Sequence, residues 1–215
     1  MAWSKLALYN TACIALGERP LSSLTENQEV RHKLDSVFAR GDGIIAFFME
    51  QGHWNFAMRA VKIDKETSIT PEFGFQYAFA KPTDFRKLNM IAGDEGFAAP
   101  LTHFEDEGIY WYANVDPLYV RYVSDDSAWG GDYSRWTETF GRWAGHWLAL
   151  EIAPSMTGNL DLERLEKRVR RLLVEARSND ATNEPTRFPP LSSWATARLG
   201  GRNRGDRGSR ARLTG

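Results

Sequence analysis

Leu16-Gly17-Glu18-Arg19-Pro20-Leu21-Ser22-Ser23-Leu24, followed about 30 residues later by Gly52-His53-Trp54-Asn55-Phe56, decides how this chain is read. Upstream of the first stretch, Leu6, Ala7, Tyr9, Cys13 and Leu16 recur at helical spacing and predict a helix from Ser4 to Leu16. Gly17 is placed to take the left-handed residue past the helix end, and Pro20 prevents continuation. Downstream, Val30, Leu34, Val37, Phe38, Ile44, Ile45 and Phe48 form one buried stripe. They predict a second helix from Thr25 or Asn27 to Gln51, capped by Gly52, with Gly41 and Gly43 as weak points inside it. Together the stretches read as an αα-hairpin with an aromatic exit.

Past Gly52 the pattern changes. Trp54, Phe56 and Met58 alternate with Asn55, Ala57 and Arg59 and predict a strand. Residues 64–74 read as a loop around Pro71 and Gly74. Phe75-Gln76-Tyr77-Ala78-Phe79-Ala80 leads into Lys81-Pro82-Thr83-Asp84-Phe85, where Pro82 forces an extended or turn entry. Further strand segments are expected at 86–91, Phe97–Glu105 and Gly108–Ala113, the last two flanking an acidic turn Asp106-Glu107-Gly108. Pro117–Val123, β-branched and aromatic, is the clearest strand. Helical spacing resumes near Tyr133, where Trp136, Phe140, Trp143, Trp147 and Leu150 share one face and Pro154 stops the helix. A short turn leads to a last helix from about Asn159 to Ser178, with Leu162, Leu165, Val169, Leu172, Leu173 and Ala176 as its apolar stripe.

The expected fold class is α+β. Helix pairs in 1–53 and 132–178 close into a discontinuous bundle around a small antiparallel β region at 54–131. Leu34, Val37, Phe48, Trp136, Phe140, Trp143, Trp147, Leu165, Val169 and Leu172 are its expected core. Residues 179–215 are Pro-punctuated and then low in complexity, so they predict an extended or disordered basic tail.

Charge is uneven along the 215 residues. Residues 198–215 carry six Arg against one acid, Asp206, while the whole chain has a net charge of −1, leaving an acidic body. The longest apolar runs fall far short of a membrane span, and no basic segment followed by an apolar core opens the chain. The single cysteine, Cys13, rules out an internal disulfide and reads as a buried small hydrophobe.

Chemistry is sparse. His32, His53, His103 and His146 are isolated, with no metal-ligand spacing, and no phosphate-cradling glycine loop or nucleophile elbow occurs. Neither a catalytic residue, a metal nor a cofactor is expected. Glu105, Asp106, Glu107, Asp125 and Asp126 could supply paired carboxylates, but acidic hairpin tips look the same. Lys167, Arg168, Arg170 and Arg171 crowd one face of the last helix, and the ordinary reading is a solvated face. Trp194, in Phe188-Pro189-Pro190-Leu191-Ser192-Ser193-Trp194, is a lone bulky aromatic in a polar segment. It reads either as an anchor on a partner or as a tail packing back on its own domain. The Arg-Gly end, with Arg202, Arg204, Arg207, Arg210 and Arg212, is suited to electrostatic contact with DNA.

Taken in order, these motifs resemble the tail tubular protein A family, the head-to-tail adaptors of short-tailed bacteriophages. The resemblance rests on the opening turn and on the aromatic exit after the second helix. It extends to Tyr77-Ala78-Phe79-Ala80-Lys81-Pro82-Thr83-Asp84, to Asp116-Pro117-Leu118-Tyr119-Val120-Arg121-Tyr122, and to Pro154-Ser155-Met156-Thr157-Gly158. It covers roughly residues 6–180, and the Arg-Gly extension departs from the family's usual ending.

The resemblance implies a structural virion protein rather than an enzyme. Twelve copies would form a ring beneath the portal protein, with a tail or nozzle protein below and genomic DNA in the lumen. The place of action would be the head–tail interface of the virion, reached from the host cytoplasm during assembly, without a membrane. Arg187, Phe188, Pro189, Pro190, Trp194 and Arg198 are the expected contacts with the portal or a neighbouring subunit. Two other readings are a nucleic-acid-binding module using the Arg-Gly tail, and a virion-associated cell-wall hydrolase.

Overall fold

The computed structural model describes residues 2–41, 43–156 and 161–183. Among them are five α-helices and two small antiparallel sheets of three strands each, a mixed α+β architecture. Helix α1 (Lys5–Leu16) opens on Ser4, whose hydroxyl accepts from the Ala7 amide. It closes on Gly17 at φ 75°, with the Gly17 and Glu18 amides donating back to Ile14 and Cys13. A left-handed residue is needed there, and Gly meets it without a Cβ penalty. The Asn10 side chain then holds Leu21 by both its amide (2.7 Å) and its carbonyl (3.1 Å), folding the turn back onto α1.

The expected single second helix is two: α2 (Glu29–Phe38) and α3 (Ile44–Glu50). Gly41 (φ 59°) and Gly43 (φ 93°) both adopt left-handed backbone, which breaks the ladder that the apolar stripe suggested. Gly52 is not the expected cap. Helix α3 ends on Gln51 in the right-handed region, and Gly52 has no room for a side chain, since a Cβ would meet the Trp54 ring at 2.8 Å.

The strand expected from Trp54 starts only at Met58. The Trp54 indole donates to the Phe48 carbonyl (2.9 Å) and packs on Phe140 at 4.7 Å. This draws Trp54 among the helices and forces a single 3-10 turn at Asn55–Ala57. One sheet has strand order β1 (Met58–Ile63), β6 (Leu118–Ser124), β3 (Phe85–Ala92); the other runs β2 (Tyr77–Ala80), β5 (Tyr110–Ala113), β4 (Phe104–Glu107). The long strand expected over 97–105 is reduced to β4. Phe97 sits at φ 51°, and Pro100 forms only an isolated bridge to Ala92. Asp106 and Glu107 lie in β4, opposite Trp111 and Tyr110, so the turn itself is Gly108-Ile109.

Phe79 and Trp111 of one sheet meet Ile91, Leu118, Val120 and Tyr122 of the other in a single apolar cluster. Val123, on the other face of β6, belongs instead to the larger helical core. This strand therefore serves two cores through its alternation.

Helix α4 (Glu138–Ile152) is capped by Thr137 and packs against α1, α2 and α5 (Leu162–Thr182). The expected start near Tyr133 is a 3-10 turn, and Trp136 lies just outside α4 with its indole donating to the Gly130 carbonyl (2.9 Å). Gly141 and Gly145, one turn apart, face α1. A Cβ at Gly145 would fall 2.6 Å from Thr11, and one at Gly141 would overlap the Trp3 ring at 2.1 Å. Their lack of side chains is what lets α1 lie so close.

Leu34, Val37, Phe48, Trp136, Phe140, Trp143, Val169 and Leu172 are buried in the helical core, with Trp147 and Leu165 half-buried against it. The chain does not leave its last helix at Ser178, as the polar composition suggested. Helix α5 continues to Thr182, because Asp180 is buried and accepts the Asn55 amide at 3.0 Å. The Asn55 side chain returns a hydrogen bond to the Asp180 carbonyl (2.8 Å). No helix among the described residues is long and apolar enough to cross a membrane.

Candidate interaction surfaces

The tail residues singled out above (Arg187, Phe188, Pro189, Pro190, Trp194, Arg198, Arg202, Arg204, Arg207, Arg210 and Arg212) lie outside the described residues, as do Thr157 and Gly158. The rest can be placed. The carboxylates of the hairpin do not converge. Glu105, Asp106 and Glu107 are all exposed, but Asp106, on the other face of β4, accepts the Trp111 indole N–H (3.0 Å) and pairs with Lys81. Asp125 pairs with Arg86 at 2.6 Å, and Asp126 caps the Ala128 amide at 2.8 Å. Each is committed to holding a turn or strand.

Asp106 therefore differs from its neighbours in what it does. Glu105→Ala and Glu107→Ala should change stability by less than about 0.5 kcal/mol, as exposed substitutions usually do. Asp106→Ala should cost about 1–2 kcal/mol, because it orphans the indole N–H of a fully buried tryptophan. Urea unfolding of the three single variants checks this; equal effects would remove the distinction.

The histidines stay apart. His32 lies on α2 and bonds Asn27, His103 stacks on Phe75 at 5.1 Å, His53 follows α3, and His146 lies on α4. No group of three or more His, Cys, Asp or Glu among the described residues is arranged to hold a metal ion. Cys13 is fully buried, and that burial pushes its thiol pKa upward, away from reactivity.

Two polar centres tie the layers together. Asp84, from the Lys81-Pro82-Thr83-Asp84 turn, accepts from Arg59 of β1 (2.8 Å), from the Tyr122 hydroxyl (3.0 Å) and from Ser124, both of β6. Burial alone would raise its pKa; the hydrogen bonds from Ser124, Arg59 and Tyr122 outweigh it and hold the carboxyl below its ordinary 3.8. Asp35 of α2 plays a similar part, with the Tyr9 hydroxyl at 2.8 Å, Arg31, and Lys5 at 3.3 Å. Sequence spacing did not reveal either centre, since each joins residues distant along the chain.

A groove of about 530 Å3 lies between α5, α4 and α1. Arg164, Lys167, Arg168 and Arg171 line it from α5 and His146 from α4, with Ala15 and Leu165 as the apolar part of the lining. The basic cluster read from the sequence divides here. Lys167 and Arg170 are each paired one turn back along the helix, with Glu163 and Glu166. Arg164, Arg168 and Arg171 make no ion pair or side-chain hydrogen bond among the described residues. Arg164 escaped the sequence reading because it stands apart from the Lys167–Arg171 run; spacing by one turn and then another, 164, 168, 171, was the available signal.

His146 Nδ1 lies 2.8 Å from the Arg142 carbonyl, a contact that suits an N–H donor. Burial, with Arg168 and Arg142 nearby, holds its pKa below the usual 6.5, against that hydrogen bond. The imidazole is therefore neutral at pH 7, and the positive charge of the groove comes from the helix α5 side chains.

No protein-family model matches the chain, and no curated protein matches it.

Proposed function

We propose that this protein is a structural connector of a short-tailed bacteriophage, a ring subunit joining the portal protein to a tail or nozzle protein. In this reading twelve copies surround a lumen through which genomic DNA passes, at the head–tail interface of the virion. The observation that carries it is where the family-like motifs fall. Gly17 ends α1, and Leu21 of the same stretch is buried against Asn10. Tyr77–Ala80 is a paired strand, and Asp84 of the following turn anchors β1 and β6. Leu118–Tyr122 belongs to β6, the strand whose Val123 also reaches the helical core.

The motifs thus mark the joints of one framework, and a shared framework is what a resemblance in order and spacing should reflect. Also in this reading, helices from both ends of the chain make one bundle around the β region. The contacts of α4 with α1, α2 and α5 support that arrangement.

The Pro-punctuated segment supplies the docking contacts in this proposal. Pro185, Pro189 and Pro190 restrict the unbound chain and so lower the entropy lost on binding. Phe188 and Trp194 fill apolar pockets, while Arg187 and Arg198 pair with carboxylates. Because α5 runs to Thr182, the informative truncation ends at Asn183 and keeps the Asp180–Asn55 link intact. That variant should unfold at the same temperature as the full chain yet join portal-bearing heads with reduced occupancy and salt resistance.

Trp194→Ala should reproduce much of the defect, about 2 kcal/mol of docking free energy, as for a central aromatic anchor. Unchanged occupancy of the truncated protein would show the tail to be passive. Imaging of intact particles tests the reading as a whole: ring density at the head–tail joint fitted by this fold supports it, and its location elsewhere ends it.

A further inference from the structure

Arg121, Arg164, Arg168 and Arg171 are the lysines and arginines of the described residues whose side chains make neither an ion pair nor a hydrogen bond. The other cations are tied down, by carboxylates or, for Lys87 and Arg177, by the Glu50 and Gln51 carbonyls. Three of these free guanidinium groups share one groove. This is not the usual solvated helix face. On the same helix Glu163 and Glu166 neutralise Lys167, which also lines the groove, and Arg170, while the three arginines of the lining stay unpaired among the described residues. Asp161, the acid of the lining, is engaged in capping the Arg164 amide at 2.9 Å. A positive channel on an otherwise acidic body focuses potential where an anion would sit.

We propose that the groove lined by Arg164, Arg168, Arg171 and His146 binds the phosphodiester backbone of nucleic acid. The spacing favours a strand over a single small anion. Along α5 the three arginines rise by about 6 Å and then about 4.5 Å, at 1.5 Å per residue. They form a row about 10 Å long rather than a convergent pocket. A duplex strand carries one phosphate per about 3.4 Å of axis, so such a row can follow consecutive phosphates. Guanidinium groups bind phosphate oxygens bidentately, and the lining holds no Phe, Tyr or Trp ring among the described residues. Binding is therefore electrostatic and independent of sequence. The identification of the nucleic acid as genomic DNA in a lumen rests on the connector reading; the groove's affinity for a phosphodiester does not.

The test is a salt titration of the full-length chain with a fluorescent duplex of about 20 base pairs, read by anisotropy. Each phosphate contact contributes about 0.9 to the slope of log K against log salt. The triple variant Arg164→Gln, Arg168→Gln, Arg171→Gln should lower that slope by about 2–3. Arg121→Gln should leave it unchanged. The same decrement should appear in a chain whose tail arginines from Arg198 onward are replaced by Gln, which separates the groove from the tail. Should the triple variant lose its fold by circular dichroism, the single variants serve, each lowering the slope by about 1.

An unchanged slope in the folded variants overturns the proposal. So does displacement of the duplex from the groove by poly-glutamate at equal charge concentration, which would assign the groove to an acidic protein segment. Purified subunits answer this without any ring, so its failure leaves the particle-imaging test of the connector untouched.

Discussion

Replacing Phe48 by Ala is expected to lower the unfolding free energy by about 3–5 kcal/mol, the usual cost of emptying a fully buried aromatic site. Phe48 has no exposed surface, and it stands at the centre of the tryptophan cluster. Trp143 lies 5.1 Å from its ring, Trp147 5.4 Å, and Trp136 and Phe140 6.3 Å each. The edge-to-face pairs add to the area buried. Its own carbonyl also accepts the Trp54 indole, so relaxation of α3 into the cavity would strain the hydrogen bond that turns the chain from the helices into β1. Four large rings around one void cannot collapse easily, which places the cost near the top of the range. For a domain stable by about 5–15 kcal/mol this removes a large share of the total.

Trp143→Phe in the same cluster should cost much less, under about 1.5 kcal/mol, although the side chain is larger. The Trp143 indole N–H is buried and has no hydrogen-bond partner among the described residues, so deleting it recovers a desolvation penalty that offsets part of the lost packing. Urea unfolding with an unchanged m-value checks both numbers. Equal losses from Phe48→Ala and Trp143→Phe would show that the cluster is not centred on Phe48.

Asp84→Ala should cost about 3 kcal/mol and remove part of the acid sensitivity of the fold. The substitution leaves the Tyr122 and Ser124 hydroxyls, both on fully buried residues, without their acceptor. It also leaves Arg59, about a third exposed, to rely on water. Orphaned buried donors cost about 1–3 kcal/mol each. The direction with pH follows from the lowered pKa. A carboxyl more acidic in the folded than in the unfolded chain contributes stability above its unfolded value, and that contribution is lost as pH falls through the folded value.

The wild type should therefore lose stability as pH drops below about 4, near the carboxylate reference range. Asp84→Asn should flatten part of that slope while already being destabilised at pH 7. Asp35, also held below its ordinary value, accounts for a remaining share. Its own carboxylate is more exposed than that of Asp84, 35% against 13%, so its share is the smaller. Parallel stability–pH curves for wild type and Asp84→Asn would refute this assignment.

Local signals were enough where the chain's own neighbours set the outcome. The Gly17 stop, the Pro154 limit of the third expected helix, and the β-branched strand expected over Pro117–Val123 follow from backbone preferences and apolar period. These act within a few residues, and the α+β class with its helical and β segments follows from them. The apolar stripe from Val30 to Phe48 was misleading for a related reason. Periodicity reports which side chains face a core, and both α2 and α3 face the same one, so the stripe runs unbroken past two left-handed glycines.

Only the tertiary structure decided the rest, because the deciding partners lie far apart along the chain. Trp54 leaves its expected strand for a carbonyl in α3 and a ring in α4. Asp180 extends α5 by bonding the turn before β1, where polar composition alone argued for a free end. Asp106 became a partner of Trp111 and Lys81 rather than a tip residue, once the hairpin turn moved to Gly108 and Ile109. Among the cations of α5, charge composition could not tell which were neutralised. That distinction needed the side chains placed in space, with Glu163 and Glu166 beside Lys167 and Arg170, and with Arg164, Arg168 and Arg171 left facing the groove.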